Sequence, residues 1–339
     1  MINWFLYIIA AVCLLIVILN CCLPSGTLSK SIKNSLGIES NKKAIKDLDQ
    51  VLVKINRNSV IQKEFHSLSK EKIDQIKELF YSLREKEQQE GVEGIKDRSN
   101  RGGWHSNNDI ISHFPVQHLF LQLEPYLTRY AQNLGLNKSD LVIQAWTIIN
   151  NQGNFNISHC HVDTLFCGCY YLDMDLPTEG NGDVQFLETI MPEDSQFKKG
   201  NWGSYLYDPN LDKKDDGVIQ SYNQETGMVE IQNYVTKKNV KVPYFQVREF
   251  KAKMKHTPSP GDLLIFANDQ YHQVFPYNGK KDRIIIAFNV YYYKNGLIHK
   301  FDKPSPLSSE EELGWFIAPY HDPNLMKFNR RFSEMRKLE

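Results

Sequence analysis

The first apolar pattern along the chain is continuous, without a helical or strand period. From Trp4 to Leu19 no side chain is polar except Tyr7, and the stretch extends through Cys21, Cys22 and Leu23 to Pro24. About twenty such residues suit a membrane-spanning helix better than the apolar region of about 7–15 in a signal peptide, and no basic leader or small-residue cleavage site accompanies them. Lys30, Lys33, Lys42 and Lys43 follow, while no Lys or Arg precedes. The positive-inside rule then sets the body of the protein on the cytoplasmic side of a single-pass anchor, residues 1–24. Residues 25–68 are polar and rich in Lys, Asn and Ser, and read as a stalk.

Periodicity begins after Ser69, an expected N-cap. Ile73, Ile76, Phe80 and Leu83 recur at helical spacing among charges, which predicts an amphipathic helix ending before Gly91. Leu119, Leu123, Leu127, Tyr130 and Leu134 form a second stripe, with Gly135 placed to cap a helix over about 116–134. From Asp140 onward the pattern shortens to β-branched and aromatic runs: Leu141–Ile149, Leu165–Leu172, Val184–Leu187, Leu263–Phe266 and Ile284–Tyr293. Runs of this kind, separated by turn residues, predict a mainly β domain with flanking helices, an antiparallel sandwich or barrel. Residues 191–258 interrupt the series with a polar stretch over 198–226 and strand-like runs near Met228–Val235 and Val240–Lys251, the pattern of an insertion. The domain is therefore expected over 69–303, with an irregular tail at 304–339.

Composition narrows the function classes. The chain has 40 Lys and Arg against 40 Asp and Glu, so it lacks the basic field that nucleic-acid binding needs. An apolar content of 41% excludes a disordered chain. Cys160, Cys167 and Cys169 crowd together in a spacing unlike a secreted disulfide framework, which points to a reducing compartment.

The densest group of potential ligands is His159-Cys160-His161-Val162-Asp163. On an extended chain a two-residue offset keeps side chains on one face, so His161 and Asp163 converge, with His159 in line. A site needs a distant third ligand, and His272 follows the run Leu263–Phe266. Arg283 opens the next apolar run, where alternation sets Arg283, Ile285, Ala287 and Asn289 on one face. A guanidinium facing inward requires an anion, and a dicarboxylate would supply one.

In this order and context the residues resemble the iron(II)- and 2-oxoglutarate-dependent dioxygenases, whose pattern is His-x-Asp, a distal His and an Arg about ten residues further on. His161-Val162-Asp163, Tyr170-Tyr171-Leu172, Gly182-Asp183, Pro260-Gly261-Asp262, His272 and Arg283 follow the order of that family, and Ser99-Asn100-Arg101-Gly102-Gly103-Trp104 is similar to a segment of one of its branches. The resemblance spans roughly residues 95–295 and implies a double-stranded β-helix, a jelly-roll or cupin-like barrel. It also implies Fe(II) held by His161, Asp163 and His272, 2-oxoglutarate anchored by Arg283, O2 as co-substrate and ascorbate as an accessory reductant. The implied activity is hydroxylation of an unidentified small-molecule or protein substrate with release of succinate and CO2. Halogenation is not implied, because related halogenases carry a small residue where Asp163 stands. Tyr171 and Asn289 are candidates for contact with the cosubstrate, against plainer roles in packing and local hydrogen bonding, and Asn150 shares that ambiguity. His159 is an alternative to His161 in a shifted register. Two rival readings remain open, a zinc-binding module using the cysteines and a catalytically inactive membrane-tethered binding module.

Overall fold

The computed structural model describes residues 61–306 apart from 92–98, 109, 137–140, 162–163, 177, 209–212, 295–296 and 300–303. The anchor at 1–24 and most of the stalk and tail lie outside the described residues, as does Asp163. No helix among the described residues is long and apolar enough to cross a membrane.

Both helices form where the periodicity puts them. Helix α1, Lys70–Gln89, starts at Ser69, whose hydroxyl accepts from the Lys72 amide at 3.4 Å, and buries Ile76 and Phe80. Helix α2, Phe114–Asn133, buries Leu119, Leu123, Leu127 and Tyr130. It stops at Gly135, which takes φ +78° while Leu136 bonds back to the Ala131 carbonyl. A left-handed residue of this kind reverses the chain without a Cβ clash.

The rest is mainly strand, in two curved sheets. The first contains β1 (Gln62–Phe65), β13 (Asp262–Ala267), β6 (Phe166–Asp173), β15 (Arg283–Lys294), β4 (Leu141–Asn150) and β3 (Trp104–His105), adjacent in that order. Beyond β6, the end of β15 also carries β16 (Leu297–His299) and β17 (Pro304–Pro306). The second sheet runs β11 (Asn239–Pro243), β10 (Met228–Asn233), β9 (Lys213–Asn223), β8 (Trp202–Asp208), β12 (Val247–His256), β7 (Val184–Thr189), β14 (Tyr271–Val274), β5 (Phe155–His159) and β2 (Asn100–Arg101). Every pairing is antiparallel, and β4 to β7 alternate between the sheets, consistent with a double-stranded β-helix.

Alternation along the strands gives two cores. Tyr170, Leu172, Leu263, Ile265, Ile284, Ile286 and Phe288 face the helices. Trp146, Tyr171, Val184, Phe186, Leu264, Phe266, Ile285 and Ala287 face inward between the sheets. The central strands β13, β6, β15 and β4 are thus buried on both faces, which is why β4 reads as nearly continuous apolar sequence.

Several expectations are corrected. The stalk ends sooner than residue 68, because β1 pairs with β13, Gln62 opposite Ile265, and its alternation is too short to show in a Lys- and Glu-rich context. The polar stretch at 198–226 contains β8 and β9, whose apolar faces close a small separate core of Tyr205, Ile219, Val229, Ile231 and Val242. The run 240–251 is broken by a turn at Tyr244–Gln246, so β11 and β12 are distinct. Residues 191–258 continue the second sheet through β12, which pairs with β7. The tail is strand at its beginning, 304–306, where β17 pairs with β16.

Candidate active site

Strand β5 and strand β14 lie side by side, with His272 opposite His159 in the register. Sequence periodicity does not reveal either strand, since each has only four or five residues; His272 lies beyond β13, as the sequence places it, and within the short strand β14. His161 follows the end of β5 and is tied in place by its amide, which donates to the Asn268 carbonyl at 2.8 Å. The outcome is three imidazoles in one group: the ring of His159 is 4.2 Å from that of His272 and 5.2 Å from that of His161, and His161 stacks on His272 at 5.4 Å. One ligand atom from each of the three lies within 4.8 Å of the others.

The ring orientations follow from their partners. Nδ1 of His159 lies 2.8 Å from the Ile157 carbonyl, and Nδ1 of His272 lies 3.0 Å from the Gln270 carbonyl. A carbonyl only accepts, so both rings carry their proton on Nδ1 and present the Nε2 lone pair. Nδ1 of His161 lies 2.9 Å from Asn289 Oδ1. The Asn289 amide in turn donates to the Tyr291 hydroxyl, 3.2 Å away, and that hydroxyl donates to Gln144 Oε1 at 3.1 Å. This chain makes Asn289 Oδ1 an acceptor too and sets the same tautomer on His161. Asn289 therefore orients His161. Burial lowers the His159 pKa to about 4 and that of His272 well below its usual value, so both rings are neutral near pH 7, the form that binds metals.

On the same inward face, Arg283 is fully buried and none of its three guanidinium nitrogens has a hydrogen-bond partner among the described residues. Its guanidinium carbon lies 5.2 Å from the centre of the Tyr171 ring. Asn150 stands opposite it in the register, also fully buried, with both side-chain amide atoms unpartnered. Gly182, in the bend before β7, touches Arg283: a Cβ there would come within 3.2 Å of Arg283 Cδ. The neighbouring Asp183 is also buried, but its carboxylate turns to Lys255 at 3.3 Å and the Gly180 amide at 2.9 Å. A buried cation without an anion is strongly unfavourable, and a carboxylate bound at this end of the barrel would offset that cost. The Tyr171 hydroxyl is buried near the Cys169 thiol and is held in its protonated form, chiefly by burial.

The cysteines stand apart from the imidazole group. Cys160, Cys167 and Cys169 are free thiols, and burial pushes Cys167 well up and Cys169 to about 11, which disfavours the thiolates that zinc would need.

The segment after Ser99 walls the site. Strand β2 pairs with β5, the Ser99 hydroxyl lies 3.2 Å from His159 Nε2, and the Asn156 amide donates to the same hydroxyl at 3.2 Å. Gly103, at φ +70°, passes so close to Asn150 and the Ile149 carbonyl that a Cβ would lie within 2.6 Å of both. Trp104 is anchored through its indole N–H to Glu87 of α1 at 2.8 Å. Sequence reading missed Asp216, on β9, which accepts from the amide and hydroxyl of Ser158 at 2.5 and 2.9 Å and so ties the inserted strands to the residue before His159. No local pattern marks such a long-range bond.

Residues 144–289 match the protein family described as "Putative 2OG-Fe(II) oxygenase". No curated protein matches by sequence. Among solved structures, the chain is similar to a prolyl-4-hydroxylase from Pseudomonas putida, at 13% identity and a TM-score of 0.37 over 73% of this chain and 100% of the other. It is also similar to a prolyl hydroxylase of Trichoplax adhaerens in complex with a hypoxia inducible factor peptide, at 14% and 0.35 over 75% and 92%. A third is the non-heme alpha ketoglutarate dependent carbocyclase from nogalamycin biosynthesis, at 12% and 0.36 over 71% and 85%. At such identities and TM-scores these likenesses say nothing about substrate.

Proposed function

We propose that the chain is an Fe(II)- and 2-oxoglutarate-dependent dioxygenase on a double-stranded β-helix, acting on an unidentified small-molecule or protein substrate, a reading supported by the match of residues 144–289 to the 2OG-Fe(II) oxygenase family. The observation that supports this reading best is Arg283, a fully buried guanidinium on the inward face of the barrel without a hydrogen-bond partner among the described residues. Its fork of donors suits the distal carboxylate of 2-oxoglutarate, and Asn150, unpartnered beside it, offers a further N–H. His161 and His272 present Nε2 lone pairs to a metal ion, and imidazole is a good ligand for Fe(II). Asp163, the ligand implied by the sequence resemblance, lies outside the described residues.

When bound, the metal and 2-oxoglutarate supply oxygen activation coupled to decarboxylation to succinate, ending in hydrogen abstraction from the substrate. The protein's own contribution is positional. Gln270 and Asn289 fix the histidine tautomers; Arg283 and Asn150 orient the cosubstrate; Trp146, Phe186 and Phe266 keep water from the interior between them. Residues 1–24 anchor this domain to a membrane, with the domain on the cytoplasmic face.

Succinate release from 2-oxoglutarate by the purified chain, measured across a panel of substrates, tests the activity. Arg283→Lys keeps the charge and loses the fork, so 2-oxoglutarate affinity should fall at least about tenfold while metal still binds. Unchanged affinity in Arg283→Ala would show that the anion sits elsewhere, and stoichiometric zinc held through thiolates would favour the zinc-module reading.

A further inference from the structure

We propose that His159 is the third protein ligand of the metal centre, so that the site is a face of three imidazole nitrogens, His159, His161 and His272, that holds its metal without the Asp163 carboxylate. This rests on the reading of the barrel as a metal-dependent oxygenase and names its donor set.

Three observations converge on it. The group of described residues able to hold a metal ion consists of these three side chains, each contributing one ligand atom within 4.8 Å of the other two. Nitrogens about 2.1 Å from one ion and sharing one octahedral face lie about 3.0 Å apart, so side-chain rotations that draw the three atoms together by at most about 1.8 Å bring them into a single coordination sphere. Secondly, the three rings share one device. Each Nδ1 is turned outward onto an oxygen acceptor, the Ile157 carbonyl, Asn289 Oδ1 and the Gln270 carbonyl, at 2.8, 2.9 and 3.0 Å respectively. A carbonyl or carboxylate behind Nδ1 is the usual support of a metal-bound imidazole, because it sets the tautomer and raises the basicity of the other nitrogen. His159 has this support as fully as the other two. Thirdly, His159 and His272 are cross-strand partners on β5 and β14, so backbone pairing holds their side chains on one face independently of any ligand.

The Ser99 hydroxyl, 3.2 Å from His159 Nε2, is the competing partner. It is a long, neutral hydrogen bond, and on metal binding Ser99 keeps its bond from the Asn156 amide. Three protein nitrogens leave a six-coordinate ion three further positions. That is the number left by two histidines and a carboxylate, and it is enough for a chelating 2-oxoglutarate and O2.

The test uses the full-length chain in detergent with Co(II) as the probe. In the wild type, each imidazole bound through Nε2 gives one exchangeable, paramagnetically shifted Nδ1–H proton resonance, and three are expected. Two such resonances would overturn the proposal while leaving a metal-binding barrel, and no Co(II) binding at all would overturn the metal-site reading beneath it. Equilibrium dialysis supplies the second arm. Asp163→Asn should retain Co(II) with affinity within about tenfold of wild type, whereas His159→Gln should lose at least about 100-fold, beyond what removing an outer partner costs. Loss of metal in Asp163→Asn together with its retention in His159→Gln would overturn the assignment.

Discussion

Arg283 shows how a single residue can be selected against stability. Its guanidinium is buried near Tyr171, Gly182 and Asn150 without a compensating anion among the described residues. Methionine is similar in length and uncharged, so Arg283→Met should stabilise the ligand-free chain by about 1–4 kcal/mol, the range seen when buried ionic groups are replaced by apolar ones. The same change should erase the stabilisation that 2-oxoglutarate gives the wild type, since a ligand that binds the native state alone raises stability by mass action. Urea denaturation with and without 2-oxoglutarate checks both. A less stable variant would mean that the guanidinium has a structural role.

Among the elements, β5 and β9 are joined by an acid that the sequence gives no reason to notice. Asp216 is buried, and desolvation raises its pKa to about 6, against the lowering effect of the Ser158 bonds. A carboxyl whose folded pKa exceeds its unfolded value of about 3.8 favours the fold fully below that lower value, and the advantage is lost as pH rises through about 6. Asp216→Asn has no such titration. The stability of the wild type relative to this variant should therefore fall between pH 4 and pH 6, by about 2–3 kcal/mol, and level off above. Chemical denaturation of both proteins across that range measures the difference, and a flat difference would mean that Asp216 is not desolvated as the structure shows. The bond also couples elements with separate cores, since β8–β11 close their own apolar cluster while β5 belongs to the barrel.

At the scale of the whole molecule, the two described helices cover the outer face of the first sheet, and the site opens between the two sheets. The second sheet supplies His159 and His272, and the first supplies Arg283, Asn150 and Asn289, so the site exists only when both are assembled. Attached through residues 1–24, this domain would be confined to one face of a membrane. Protease added to sealed native vesicles of known orientation should digest it from the cytoplasmic side only; protection there, or a mature chain that begins after about residue 24, would refute the anchor.

The sequence by itself determined the two helices, the strands β4, β6, β13 and β15, the inward face of β15 and the succession of His161, His272 and Arg283. These are properties of local periodicity, turn chemistry and residue type, which a chain carries wherever it folds. Four-residue strands such as β1 and β14 have too few positions for a period to emerge, and β8 and β9 lie in polar sequence whose apolar positions matter only once paired. Tertiary structure alone decided that His159 joins His161 and His272, that Asn289 bonds a histidine and that Arg283 has no hydrogen-bond partner among the described residues. Each depends on which strands become neighbours and in what register, and those contacts bring together residues more than a hundred positions apart in the chain.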